Sequence, residues 1–321
     1  MIEFTESDGI YAVLKNMAAT GGEYAAALEK RAAHIYDAAQ LARRELLETY
    51  GDAPVLELLF SNDDARAEII ASVPRTNKPE IAPSSDFIGG TVGRELDKFD
   101  MFCFCKALSA GERYTPGEMM AFLFELDGDA VGKNKKIAML RNSSSSRAFE
   151  LFAAHVRGVE ATYGDNFKSV CDAVYLKDAG YAVLPLESST DGRLDGLYMM
   201  IEKYDLAVLM SCMVLSGDGS ATRFALVGRP QDVGDEVGRK KFEFKISLDE
   251  PSEISEISDA ALFFGARFER VDTLPVSYGR DNAYGVIVDI DGADIAGFMT
   301  YMEMRFSQFV TVGIYSHITE E

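Results

Sequence analysis

Apolar residues at Leu28, Ala32, Ile35, Ala39, Ala42 and Leu46 recur every three or four positions from about Gly22 to Tyr50, a stretch without Pro or internal Gly. That period predicts one long amphipathic helix. The run Val55-Leu-Glu-Leu-Leu-Phe60 predicts a strand, Asp64–Ala71 a short helix and Pro74–Ser85 a Pro- and Ser-rich loop. Met101–Leu108 reads as a further strand. Thr115-Pro-Gly-Glu118 opens a helix through Leu126, with Thr115 as the cap and Pro116 at the first helical position.

The middle third alternates strand and helix. Lys136–Leu140 is a strand, followed by Arg141-Asn-Ser-Ser-Ser-Ser146 and a helix from about Arg147 to Val156. Tyr181–Leu186 is a buried strand, followed by Glu187-Ser-Ser-Thr190 and a helix through about Tyr204; Leu206–Leu215 is a third strand. This order implies an α/β sheet with partly parallel pairing. The polar stretch Pro230–Gly238 predicts a linker. Beyond it come strand Lys241–Leu248, helix Ile254–Phe264, strand Arg267–Leu274, strand Tyr284–Ile290, helix Asp294–Phe306 and strand Phe309–His317. In the first of these helices Ile254, Ile257, Ala261 and Phe264 form the apolar stripe. The order βαββαβ is that of the ferredoxin-like plait. The fold class expected is therefore α/β and α+β: a mixed N-terminal region over 1–134, an α/β lobe over 135–230 and a plait over 240–318. The serine run is the one low-complexity segment, and no internal repeat is visible.

With 321 residues, 47% of them apolar, and 20 Phe and 14 Tyr, the chain can fill real cores. A formal charge of −20 argues against nucleic acid, and Lys133, Lys135 and Lys136 read as a solvated turn rather than a basic patch. No apolar run reaches membrane-spanning length, and the acidic start Met1–Asp8 has the wrong charge for a signal peptide, so a cytoplasmic protein is expected. Cys103 and Cys105 alternate and would share one face of a strand. With 4 Cys and 3 His scattered and no second pair, buried thiols are expected and no metal.

Two loops deliver hydroxyls to expected helix starts: Ser143 to Ser146, including Ser144 and Ser145, and Ser188, Ser189 and Thr190 beside Glu187 and Gly192. Helix N-termini expose unpaired N–H groups that attract carboxylate or phosphate, and the crevice beyond the strand ends of an α/β sheet is where ligands bind. Ordinary N-capping by one Ser per helix is the alternative. Thr222-Arg-Phe224 opens a strand after the tight turn Gly217–Ser220; on the residues alone, Thr222 starts a strand, Arg223 is solvated and Phe224 packs.

The stretch from about Lys136 to Arg229, with the plait, resembles the prephenate dehydratases that carry a C-terminal ACT domain. The family's Pro-Ile-Glu-Asn-Ser-x-x-Gly motif appears as Pro185-Leu-Glu-Ser-Ser-Thr-Asp-Gly192, and its Thr-Arg-Phe as Thr222-Arg223-Phe224. Phe167–Val174 looks like the helix preceding the first motif. In the plait, Asp272-Thr-Leu-Pro275, Val288-Asp-Ile-Asp-Gly292 and Gly313-Ile-Tyr315 stand at the family's effector and closing motifs. The resemblance implies one periplasmic-binding-protein-like α/β lobe, and a hairpin joins Leu206–Leu215 to Thr222 where the family carries its second lobe.

The resemblance also implies a carbon–oxygen lyase of phenylalanine biosynthesis, converting prephenate to phenylpyruvate without a cofactor. Thr222 and Ser189 would be catalytic, with Thr222 assisting departure of the hydroxyl. Ser144, Ser145, Glu187, Ser188, Thr190, Arg223 and Phe224 would hold the substrate. Ile254, Asp272 and Thr273 would bind an amino-acid effector, and the plait would form a homodimer. A chorismate mutase-like reading of the first helix finds Arg31, Arg43 and Arg44, without that family's spacing. Three functions stay open: the dehydratase, a non-catalytic protein sensing a small carboxylate or amino acid and dimerising through the plait, and a related reaction such as decarboxylation.

Overall fold

The computed structural model of the chain describes residues 22–74, 86–124, 134–156, 158–217, 219–229, 240–274, 282–306 and 309–319. The start at Met1–Asp8, the loop from 75 to 85, Lys133, Pro275 and the expected linker 230–238 lie outside the described residues. Helices and one large mixed sheet make this an α/β fold, whose described residues form two compact units. Among the described residues no helix is long and apolar enough to cross a membrane.

The first unit is helical and draws on Met1–Tyr114, Leu248–Glu269 and Gly292–Gln308. It contains α1 (Gly22–Tyr50), α2 (Val55–Ser61), α3 (Asp63–Ala71) and α4 (Asp86–Leu108), with α9 (Glu253–Phe263) and α10 (Ile295–Arg305) from late in the chain. The two helices expected of the plait thus pack with the N-terminal ones.

Two strands expected here are helices. Val55–Phe60 became α2 because Val55, Leu56, Leu58 and Leu59 are buried while Glu57 is exposed, which is a helical period rather than alternation. Met101–Leu108 is the end of α4; Phe102, Cys103, Phe104 and Cys105 are all buried, as in a helix enclosed on all sides. Cys103 and Cys105 therefore do not share a face, since residues two apart on a helix diverge. Phe102 meets Tyr301 edge-on at 4.8 Å and Phe263 at 5.2 Å, and Arg31 forks onto Asp100.

Polar groups in this core are matched less evenly. Arg66 reaches the Glu303 carboxylate at 3.0 Å, yet burial pushes the Glu303 pKa up to about 7 against that attraction.

The second unit holds Thr115–Ser247, Arg270–Asp291 and Phe309–Glu321. Its elements are α5 (Pro116–Leu123), β1 (Lys136–Leu140), α6 (Ser143–Ala153), β2 (Glu160–Gly164), α7 (Phe167–Tyr175), β3 (Tyr181–Ser188), β4 (Gly192–Arg193), α8 (Asp195–Lys203), β5 (Ala207–Leu215) and β6 (Ala221–Gly228). β7 (Lys241–Ser247), β9 (Ala283–Asp289) and β10 (Phe309–Ile318) complete it, and β8 (Arg267–Thr273) begins in the first unit and ends in this one. Thr115 caps α5 in a capping box with Glu118, as its sequence predicts.

The sheet runs β2-β1-β3-β6-β5-β10-β7-β9-β8, with β4 beside β3. Its last four strands keep the order of a ferredoxin-like plait. β1 pairs parallel with β2 and β3, whereas β6 runs antiparallel to both β3 and β5. The lobe and plait strands are continuous because β10 pairs parallel with β5, Ser316 opposite Met210. Gly313 allows this approach: a Cβ there would sit 2.2 Å from the Val208 carbonyl oxygen. On one face, Val170, Val174, Ala182, Leu184, Tyr198, Ile201, Val208, Ala225 and Val227 form a continuous core with Val312 and Tyr315.

Glu303 gives the first unit a pH dependence of defined sign. Its folded pKa of about 7 lies above the ordinary 4.5, so its contribution to stability is full below 4.5 and is lost as pH rises through 7. Urea unfolding at pH 5.5 and pH 8 will show Glu303→Gln gaining on the wild type at the higher pH. An unchanged difference at the two pH values would contradict a buried carboxyl with a raised pKa.

Candidate functional site

The serine run opens α6, but at Ser143 rather than Arg147, and its cap is Asn142, whose Oδ1 accepts from the Ser145 amide at 2.8 Å. Ser145 is buried and Ser144 half-buried; Ser146 donates to the Asn142 carbonyl. Arg141, exposed just before this helix, lies over the Tyr163 ring at 4.5 Å. The second hydroxyl loop opens no helix. β3 continues to Ser188, a turn leads into β4, and α8 starts only at Asp195. The antiparallel partner available in β6 extends β3 past the expected end and turns Ser189 to Asp191 into a hairpin tip.

Register then sorts the candidates. Ser188 pairs with Thr222 and Glu187 with Arg223 across β3 and β6. Because side chains alternate along a strand, Thr222 and Arg223 face opposite sides of the sheet. Ser188 and Thr222 are cross-strand neighbours, and the Ser188 hydroxyl lies 2.7 Å from that of Thr190. Ser189 closes the hairpin: its Oγ accepts from the Ala221 amide at 3.0 Å and its amide donates to the Ala221 carbonyl. Phe224 is buried. Since β1 and β3 are parallel and β6 runs against β3, the start of α6, the Ser188–Thr190 turn and Thr222 all lie along the edge of the sheet formed by the strand ends. Of the effector candidates, Ile254 lies half-buried in the first unit, whereas Asp272 and Thr273 belong to the second.

Arg223 and Glu187 point instead into a closed ring of alternating charges. Arg223 lies 3.4 Å from Glu187 and 3.3 Å from Glu243; Arg193 lies 3.6 Å from both Glu243 and Asp272. Arg270 closes the circuit, 2.9 Å from Asp272 and paired with Glu187. Arg193 also pairs with Asp195 at 3.1 Å. At the centre Glu243 has no solvent exposure. Its Oε1 accepts from the Tyr198 hydroxyl at 2.7 Å and its Oε2 from Tyr315 at 2.8 Å and from Arg223. The Arg193 guanidinium stacks on the Tyr198 ring, 3.5 Å from its centroid, and lies flat over Gly285, where a Cβ would sit 2.9 Å from Nη1. Two buried nitrogens, Arg193 Nη2 and Arg223 Nε, have no hydrogen-bond acceptor among the described residues.

These contacts set the protonation states. Burial works to raise the Glu243 pKa, but Arg223, Arg193 and the two tyrosine hydroxyls outweigh it and hold it below the ordinary value. Burial likewise opposes the Arg223 charge, and Glu243 with Tyr315 and Tyr198 keeps that group firmly protonated. Burial raises Tyr198 and Tyr315, so both stay neutral donors. A carboxylate whose acceptor positions are filled by two tyrosines and an arginine suits holding a fold together better than moving a proton.

Among the described residues no three His, Cys, Asp or Glu side chains converge to hold a metal. The sequence reading missed Arg193, Tyr198, Glu243 and Arg270. The only trace of Glu243 in the sequence is the alternation Lys241-Phe-Glu-Phe-Lys245, which by itself suggests a solvated face.

No protein-family model matches the sequence, and no curated protein matches it. Among solved structures, prephenate dehydratase from Streptococcus mutans is similar over 57% of this chain and 98% of its own, at 14% identity and a TM-score of 0.47. The L-Phe complex of prephenate dehydratase from Arthrobacter aurescens is similar over 56% and 90%, at 14% and 0.44. GqqA, described as a novel type of quorum quenching acylase, is similar over 56% and 94%, at 15% and 0.43. These are likenesses in the outline of the fold and bring no activity with them.

Removing the central charge tests the ring. Glu243→Gln leaves two arginines without their shared anion and is expected to cost about 3–5 kcal/mol in urea unfolding at pH 7. Because the folded pKa of Glu243 is depressed, its contribution is present above the ordinary value of 4.5 and is lost as pH falls through the folded one. A cost under about 1 kcal/mol would mean the ring is incidental.

Proposed function

We propose that this chain is a non-catalytic relative of the prephenate dehydratase lobe that binds a small organic acid of the prephenate or phenylpyruvate class. The observation that carries this reading is the position of Arg223 and Glu187. The cation and carboxylate expected to hold substrate are committed to Glu243 and Arg270 instead. At the sheet edge there remain Arg141, the start of α6 and the hydroxyls of Ser188, Thr190 and Thr222, a set of donors in which, among the described residues, Arg141 and Thr190 are exposed to water. Such a set can grip a carboxylate, but an open edge does not supply the water-free, preorganised field that elimination of carbon dioxide and hydroxide requires. The plait, ACT-like in its strand order, would pair with a second copy, and the exposed edge strand β8 supports that role.

A second reading, a prephenate-consuming lyase, is favoured by one observation. Ser188 and Thr222 pair across β3 and β6, a register that would set a hydroxyl acid beside a donor to carboxylate.

The test combines calorimetry with a turnover assay. The full chain is titrated with prephenate and phenylpyruvate, and phenylpyruvate formation is followed at high protein concentration. Binding weakened about tenfold by Arg141→Ala, with prephenate decaying no faster than in buffer, is the expected result. Turnover abolished by Thr222→Ala would replace it with the second reading. Neither binding nor turnover would contradict both.

A further inference from the structure

The first unit contains a cavity of about 320 Å³. It opens where the end of α1 meets the start of α2 and the segment after α4. Its volume lies at the lower end of the range for small-molecule sites, about 300–1,000 Å³. The floor is apolar: Leu46, Val55 and Leu58 are buried, and Leu47 is 41% exposed although large and apolar.

One wall is fixed by hydrogen bonds. Pro54 gives α2 no side-chain cap, and Glu112 takes that place from 57 residues away, its Oε1 accepting the Val55 amide at 2.9 Å. The other Glu112 oxygen accepts from the Tyr114 hydroxyl. Arg43 donates to the Leu108 and Ala110 carbonyls and lies 3.8 Å from Glu112. The charges of Arg43 and Glu112 are thus spent on each other and on the backbone.

Two charges are left over. Arg113 and Asp52 both line the cavity, both are exposed, and neither has a partner among the described residues. They are opposite in sign, so the cavity as a whole is balanced. A dianion would gain one cation and face two carboxylates, whereas a zwitterion with an apolar tail meets each group with its complement. The carboxylate would take Arg113, the ammonium Asp52, and the tail would cover Leu46, Leu47 and Leu58.

We propose that this cavity is a binding site for an apolar L-amino acid of leucine or phenylalanine size, held as its zwitterion between Arg113 and Asp52. It lies in a different unit from the sheet-edge site, shares no residue with it and does not depend on that reading.

The probes are L-leucine and L-phenylalanine, titrated calorimetrically into the full chain, with 4-methylpentanoate as the control lacking the ammonium. Arg113→Ala and Asp52→Asn change exposed side chains, so both variants are expected to fold, which their melting curves will verify. The expected result is saturable binding weakened about tenfold in each variant, with 4-methylpentanoate binding more weakly and indifferent to Asp52→Asn. Arg141→Ala, at the other site, should leave amino-acid binding unchanged. No binding up to about 10 mM would overturn the proposal. So would binding that both variants leave intact, or 4-methylpentanoate binding as tightly as the amino acids.

Discussion

Glu243 is a carboxylate with no access to water, and the second unit is built around keeping it charged. Moving an ion of that size out of water costs several kcal/mol even after relaxation, and the cost is recovered only when strong partners surround it. Here the partners come from separate places in the chain: Arg223 from β6, Arg193 from the β4 turn, Tyr198 from α8 and Tyr315 from β10. Each arrives only if its own element is in register. The ring therefore makes the join between the α/β lobe and the plait strands a condition of stability, with β10 hydrogen-bonded to β5 on one side and β7 on the other.

This join changes what the Thr222-Arg-Phe segment means. Alternation along β6 sends Thr222 to one face and Arg223 to the other, and the face given to Arg223 is already covered by α8. The segment is thus divided between the strand end and a sealed interior. Gly285 shows how specific the sealing is, because any side chain at that position would displace the Arg193 guanidinium from its place over the sheet.

Much of the architecture was legible in the sequence. The βαββαβ order and the strand at Lys136–Leu140 followed from alternation and turn residues, and the long first helix from its 3.6-residue period. What failed was any inference about what covers a face. Met101–Leu108 is apolar but for Lys106, so period could not separate strand from helix, and only the length of α4 decides it. Lys241-Phe-Glu-Phe-Lys245 alternates as a solvated edge would, yet Glu243 is sealed and Lys245 is buried against Glu202. Ser188 to Thr190 looked like a helix start because the pairing of β3 with β6, which extends the strand, is a long-range fact absent from the local pattern. Hydroxyl positions were thus readable, and the charge pairing that decides their neighbours' role was not.

A double-mutant cycle on Arg223 and Glu243, with Met at each position and stability from urea unfolding at pH 7, measures how far the two buried charges depend on each other. If the two charges are held for each other, each single replacement leaves a buried ion short of a partner and costs about 3 kcal/mol or more, while the double replacement costs clearly less than the sum. Costs that add to within about 0.5 kcal/mol would show that Arg223 and Glu243 stand side by side without depending on one another.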